Sequence, residues 1–190
     1  AKPSSPGNVV PVTEVAGEDI FQAYIGSSAN PGFRDFAVVA EMVRGRPIPH
    51  GVSLDINPTT RDLVADLSRS GQLFDLMAAG ARLHQAGCNG CIGMGQAPAT
   101  NKISLRTVPR NFPGRSGTKE DLVYLCSPET AAASALKGEI TDPRTLEMEY
   151  PVFKEPEEIK INTDMLVPPS ESDEEVELEI GPNIAKLPDF

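Results

Sequence analysis

Two cysteines three residues apart and two arginines five residues apart, joined by a glycine-rich stretch, make residues 88–115 the part of the chain best equipped for chemistry. Cys88 and Cys91 have the C-x-x-C spacing that serves half a zinc site, part of an iron–sulfur site or a redox pair, and the spacing alone does not choose among them. Arg110 and Arg115 carry planar guanidinium forks that suit carboxylates, although arginines near one another are often just solvated. Gly90, Gly93, Gly95 and Gly114 allow the positive φ and close backbone approach that a packed helix or strand would not need. Together these residues describe a place for an anion beside a metal.

The flanking elements must bring those residues together. A short apolar run, Phe21 to Ile25, ends at Gly26, and FRDFAVVAEMVRG then shows helical spacing, with Phe33, Phe36, Ala37, Ala40 and Val43 on one face. VSLDI from Val52 to Ile56 predicts a second strand, followed by the helix TTRDLVADLSRSG with Thr59 or Thr60 as cap and Gly71 as stop. The run QLFDLMAAGARLHQ predicts a further helix leading into the cysteine loop. Lys102 to Val108 alternates like a strand and enters the arginine loop, and Asp121 to Cys126 reads as a buried parallel strand. It feeds SPETAAASALKG, a helix with Ser127 as cap, Pro128 in its first turn and Gly138 past its end. Strands alternating with helices predict an α/β fold, a three-layer α/β/α arrangement around a mainly parallel sheet. In such sheets ligands gather beyond the carboxyl ends of the strands, where the 26–30 loop and the arginine loop both leave.

The order GCNGCIG, a strand, RNFPGR, a second strand and SPETAAASALKGEITDPR resembles the aconitase superfamily, specifically its third α/β/α domain, over about Ile20 to Arg144. That resemblance implies a hydro-lyase that removes and re-adds water on a hydroxy di- or tricarboxylate of the citrate or isocitrate type. It implies a [4Fe-4S] cluster on three cysteines, with Cys88 and Cys91 matching the paired ligands. It also assigns Arg110, Arg115 and Asn30 to the substrate's carboxylates.

The chain departs from the family pattern in two places. Where the family has the third cysteine in a G-S-C-T-N loop, this chain reads Gly26-Ser27-Ser28-Ala29-Asn30, so Ser28 holds the ligand position with a hydroxyl that iron in clusters does not favour. Pro109 stands where the family usually has Asn. Cys126 is the only other thiol, at the end of a strand, where a cysteine commonly packs as a small apolar residue. An absent or labile cluster is the expectation. Proton transfer next to a carboxylate also needs a positioned acid and base, and neither His50 nor His84 lies in a matching motif. His50 follows Pro49 in a turn and His84 closes a predicted helix, so both read as surface or capping residues. The expectation is a fragment or subunit that is inactive alone and works with the remaining aconitase-type domains or a subunit that carries them. Two other readings stay open: a cluster-less relative that binds a carboxylate or a partner, and a structural zinc or redox-thiol domain.

Composition sets the outer limits. The net charge is -10 over 190 residues. Residues 151–190 hold 3 of the 17 basic and 11 of the 27 acidic side chains, leaving 14 and 16 in residues 1–150. A near-neutral body and an acidic tail offer nothing to a phosphate backbone, which argues against nucleic acid. The sequence has no membrane-length apolar run and no leader-like start, and three cysteines make no disulfide framework. A soluble, cytoplasmic protein of a reducing compartment is expected. The organisation expected is a lead-in over 1–19 with a short edge strand around Val9 to Val15, the α/β/α domain over 20–150, and an extended acidic tail over 151–190. The tail holds one strand around Glu177 to Ile180 and leads toward a swivelling fourth domain.

Overall fold

The computed structural model describes residues 1–27, 32–159, 161–169, 171 and 181–185. Ser28, Asn30 and the strand expected around Glu177 to Ile180 lie outside the described residues. The chain divides into two compact units, Ala1–Lys160 and Ile161–Phe190. In the second unit the described residues form no helix or strand, and Ile161, Met165, Leu166 and Val167 are exposed.

The first unit is built on five parallel strands: β1 (Ile20–Gly26), β2 (Ser53–Asn57), β3 (Arg82–Leu83), β4 (Ile103–Arg106) and β5 (Leu122–Leu125), in the order β3-β2-β1-β4-β5. From β1 the chain steps outward to β2 and β3, then returns across the sheet to β4 on the other side. The reversal puts a crevice at the carboxyl ends of β1 and β4, the position where open α/β sheets bind ligands.

Among the described residues four α-helices complete the unit: α1 (Phe33–Val43), α2 (Arg61–Arg69), α3 (Gln72–Ala78) and α4 (Pro128–Lys137). Their starts follow from local chemistry. The Asp35 carboxylate accepts the Gly32 N–H at 2.9 Å, Thr60 Oγ1 accepts the Leu63 N–H at 3.1 Å, and Ser127 Oγ accepts the Thr130 N–H at 3.2 Å. The helices bury one face of the sheet. Ala23, Ile25, Leu54, Ile56 and Leu105, alternate residues of three strands, pack with Phe36, Val39, Leu67, Leu76, Ala131 and Ala135 in one core. A parallel sheet flanked by helices is the α/β fold expected from the sequence.

Alternation sends Gln22, Tyr24, Asp55, Asn57, Ser104 and Arg106 to the opposite face, where all six are buried. That face is met by residues of the stretch between β3 and β4, with His84 beside Asp55, Gln85 beside Asn57, and Gly90 and Gln96 bonded to Arg106. Within that stretch, only Gly90–Ile92 form a helical turn.

Two local expectations are corrected. The helix predicted over 72–85 stops at Ala78. The Ala81 N–H reaches back to the Leu76 carbonyl at 3.0 Å and Gly80 takes φ of 100°, a left-handed closure that ends the helix and turns the chain to the sheet edge as β3. No strand forms around Val9 to Val15. Prolines at 3, 6 and 11 break the run, leaving a 3-10 turn at Val12–Glu14, while Ala1 exchanges two backbone hydrogen bonds with Leu125 on the edge of β5.

Candidate functional site

Three loops meet at the crevice. Ser27, directly after β1, is fully buried at a φ of 97°, and its Oγ donates to Cys88 Sγ at 3.7 Å. Cys88 is exposed and Cys91 is buried, one on either side of Gly90. Cys91 Sγ accepts a hydrogen bond from Arg115 Nη2 at 3.2 Å, so the second arginine of the loop after β4 is brought against the second cysteine. Arg115 Nε is buried and has no hydrogen-bond partner among the described residues. An unpartnered buried guanidinium donor is costly, and it gives an incoming carboxylate a reason to bind.

The remaining predicted site residues are placed differently. Arg110 is exposed in the same loop. Asn111, between the arginines, is buried and structural: its Nδ2 donates to the carbonyls of Val123 and Lys2 at 3.0 and 2.9 Å. Ser28 and Asn30 lie outside the described residues. Cys126 packs against the helical core and lines a small cavity with Val12, Tyr124 and Thr130. Burial there, with Glu129 adding to it against the partial relief of the N-terminal amino group, pushes its thiol up to about 12.

The glycines of the cysteine loop make close approach possible. A Cβ on Gly90 would lie 1.9 Å from Tyr24 Cζ, and one on Gly93, at φ of 81°, would lie 2.2 Å from the Ser116 carbonyl oxygen. The first contact seats the cysteine loop on the sheet. The second fits it against the arginine loop.

Beneath the loop runs a buried polar network that the sequence reading missed. Arg106 donates to Ser104 Oγ at 2.9 Å, Gln22 Oε1 at 2.7 Å, and the Gly90 and Gln96 carbonyls at 2.5 and 3.2 Å. Its guanidinium also lies 4.8 Å from the centre of the Tyr24 ring. Burial lowers Arg106 to about 10, with Tyr24, Asp55 and Asp121 opposing, which leaves it charged at neutral pH. Tyr24 is pushed well above the usual tyrosine range, chiefly by burial.

His84 belongs to this network and not to the surface. It follows β3, its Nε2 lies 2.7 Å from Asp55 Oδ1, and its ring stacks on Tyr24 at 5.4 Å. The correction has one cause: with α3 ending early, His84 lies beside the strand that carries Asp55. His50 is exposed in a turn. A signal was available, since Gln22 and Tyr24, Ser53, Asp55 and Asn57, and Ser104 and Arg106 recur at every second position of three strands otherwise apolar enough to be buried on both faces.

The donors can be tested against a cluster on three thiolates. Cys88 and Cys91 line the crevice. Cys126 is held as a thiol against the helical core, and among the described residues no three His, Cys, Asp or Glu side chains are grouped to hold a metal. Two thiols and a serine-rich loop do not fit that cluster.

The model of the aconitase family (aconitate hydratase) matches residues 5–138. A 3-isopropylmalate dehydratase large subunit 1 of Methanopyrus kandleri is 46% identical over 146 residues, covering 76% of this chain and 35% of that protein. The 3-isopropylmalate dehydratase large subunit of Mycolicibacterium smegmatis is 41% identical over 139 residues, 72% of this chain and 33% of its own length. A probable methanogen homoaconitase large subunit of Methanosarcina mazei is 39% identical over 147 residues, 77% of this chain and 37% of its own. The chain thus spans about a third of the length of the relatives it matches. Among the described residues no helix is long and apolar enough to cross a membrane.

Proposed function

Since the chain belongs to the aconitase family, we propose that it forms the carboxylate-binding crevice of a hydro-lyase that isomerises a hydroxy di- or tricarboxylate by loss and return of water. The names of its relatives favour an isopropylmalate-like or homoaconitate-like acid over citrate. Arg115 anchors one carboxylate from inside the crevice, its Nη2 already turned to Cys91 and its buried Nε awaiting an acceptor. Arg110 reaches the substrate from the rim and Asn30 from the loop after β1. The acid and base come from further domains or a partner subunit, because the buried His84 is occupied by Asp55 and His50 is away in an exposed turn. The carrying observation is the unpartnered Arg115 Nε.

Titration of the chain with isopropylmalate and with citrate at low salt, followed by NMR, tests this directly. Saturable binding is expected, weakened about tenfold by Arg115→Lys, which keeps the charge and loses the fork. No saturable binding of either acid, or equal binding by the variant, would sink the assignment.

A second reading is favoured by the donor set: a relative that uses the same arginines without a cluster. After anaerobic reconstitution, iron and acid-labile sulfide are expected on Ser28→Cys and not on the unaltered chain. A stable cluster on the unaltered chain rules this reading out.

A further inference from the structure

From the hydrogen bonds around Gly90, we infer that Arg106 is a positioning residue whose guanidinium fork holds the cysteine loop in its working shape before anything binds. Arg106 is fully buried at the end of β4, one residue before the crevice. Two of its four hydrogen bonds go to backbone carbonyls of the loop: Gly90, directly before Cys91, and Gln96 beyond both cysteines. The other two, to Ser104 and Gln22, anchor the fork to β4 and β1. Gly90 is gripped from the other side as well, its N–H donating to Asn57 Oδ1 at 3.3 Å, and Asn57 in turn accepts from Tyr24 Oη at 3.0 Å. Both backbone groups of Gly90, the residue directly before Cys91, are therefore fixed by side chains of the sheet. Gln96 is tied once more through its own Nε2 to Ser53 Oγ at 3.1 Å.

Burying a guanidinium costs several kcal/mol unless every contact compensates. Asp55 and Asp121 lie near enough to favour its charge, but among the described residues Arg106 makes no hydrogen bond to a carboxylate. Asp55 is met by Gln22, Ser53 and His84, and both Asp121 oxygens lack a partner among the described residues. All four bonds of the fork go to neutral oxygens, two of them in the loop. A planar, multi-donor group can span that arrangement and a point charge cannot. The consequence for ligand binding rests on the crevice reading above, since Cys91 so held is the residue that meets Arg115. The consequence for loop shape does not.

The test is native-state alkylation by iodoacetamide, read at each cysteine by peptide mass, on the full chain and on Arg106→Lys and Arg106→Met. Cys91 is expected to react about tenfold faster in both variants, with Cys126 changed less than about twofold, as local opening of the loop requires. Equal acceleration of Cys91 and Cys126 would mark a global effect and overturn the inference. So would a Lys variant that behaves like the unaltered chain, since placing a positive charge would then be the whole role. If the variants do not fold, amide exchange on the unaltered chain decides: residues 89–96 are expected to exchange about a hundredfold more slowly than residues 161–169, and equally fast exchange overturns the inference. Failure to bind isopropylmalate or citrate would remove the crevice reading while leaving the alkylation result to stand or fall by itself.

Discussion

Asp121 is buried at the foot of β5, and neither of its carboxylate oxygens has a partner among the described residues. Burial holds its pKa above the ordinary 3.8, and the nearby Arg106 offsets only part of that. The folded chain then binds a proton that the unfolded chain has released. Asp121 therefore costs stability at pH values above its folded pKa, and the cost fades as pH falls through that value toward the ordinary one. Asp121→Asn is expected to raise the melting midpoint at neutral pH by about 2–4 °C, roughly 1 kcal/mol, with the gain shrinking in acid. A lower midpoint at neutral pH would mean that a water or ion holds the carboxylate. Cys126 gives a second expectation: at pH 8 it should be alkylated about a hundredfold more slowly than Cys88, given a thiol pushed up to about 12. Equal rates would mean that the cavity around it opens freely. Cys88, Cys91 and Arg115 could be singled out from the sequence because their spacing is a motif. For Arg106 the alternation of polar residues along β4 marks a position but not a role, and His84 carries no such mark, because both roles depend on which neighbour each strand face acquires.

At the level of elements, the contact of Gly90 with Tyr24 fixes how the cysteine loop lies on the sheet. Gly90→Ala is expected to cost about 3 kcal/mol or more, since the new Cβ would meet the ring at 1.9 Å in a core already filled. Gly45→Ala is the control. Its φ of 69° carries strain, but nothing lies within 4 Å, so a loss of about 1 kcal/mol is expected. Chemical denaturation of the two variants checks the pair, and equal losses would mean that the Tyr24 ring moves aside at little cost. The helices were legible wherever a cap and a stop coincide with the apolar face, as at Thr60 for α2 and at Ser127 and Gly138 for α4. The end of α3 was not, because apolar spacing runs on through Ala81 and Leu83 while Gly80 closes the helix behind it. β1 and β5 read easily from their apolar runs. Gln22 and Asp55 were passed over because isolated polar residues in such runs resemble exposed edges, until a loop from elsewhere covers them.

Over the whole molecule, the hydrophobic core lies within Ala1–Lys160, and Ile161–Phe190 is a separate unit. A chain ending at Lys160 is therefore expected to keep its melting midpoint within about 2 °C. A fall of about 10 °C would show that the acidic segment supports the fold. The sheet order was readable only in outline. Alternating strands and helices call for parallel pairing, yet the return from β3 to β4 is fixed by long-range contacts such as Gly93 against Ser116, two glycine-rich loops that touch through backbone atoms. That contact also bears on how the crevice could be remodelled. With no side chain of Gly93 between them, the loops have no adjustable spacer, so neither can be exchanged for a relative's version without carrying the other. For anyone grafting a new specificity onto this scaffold, the segments 88–96 and 110–117 are one cassette.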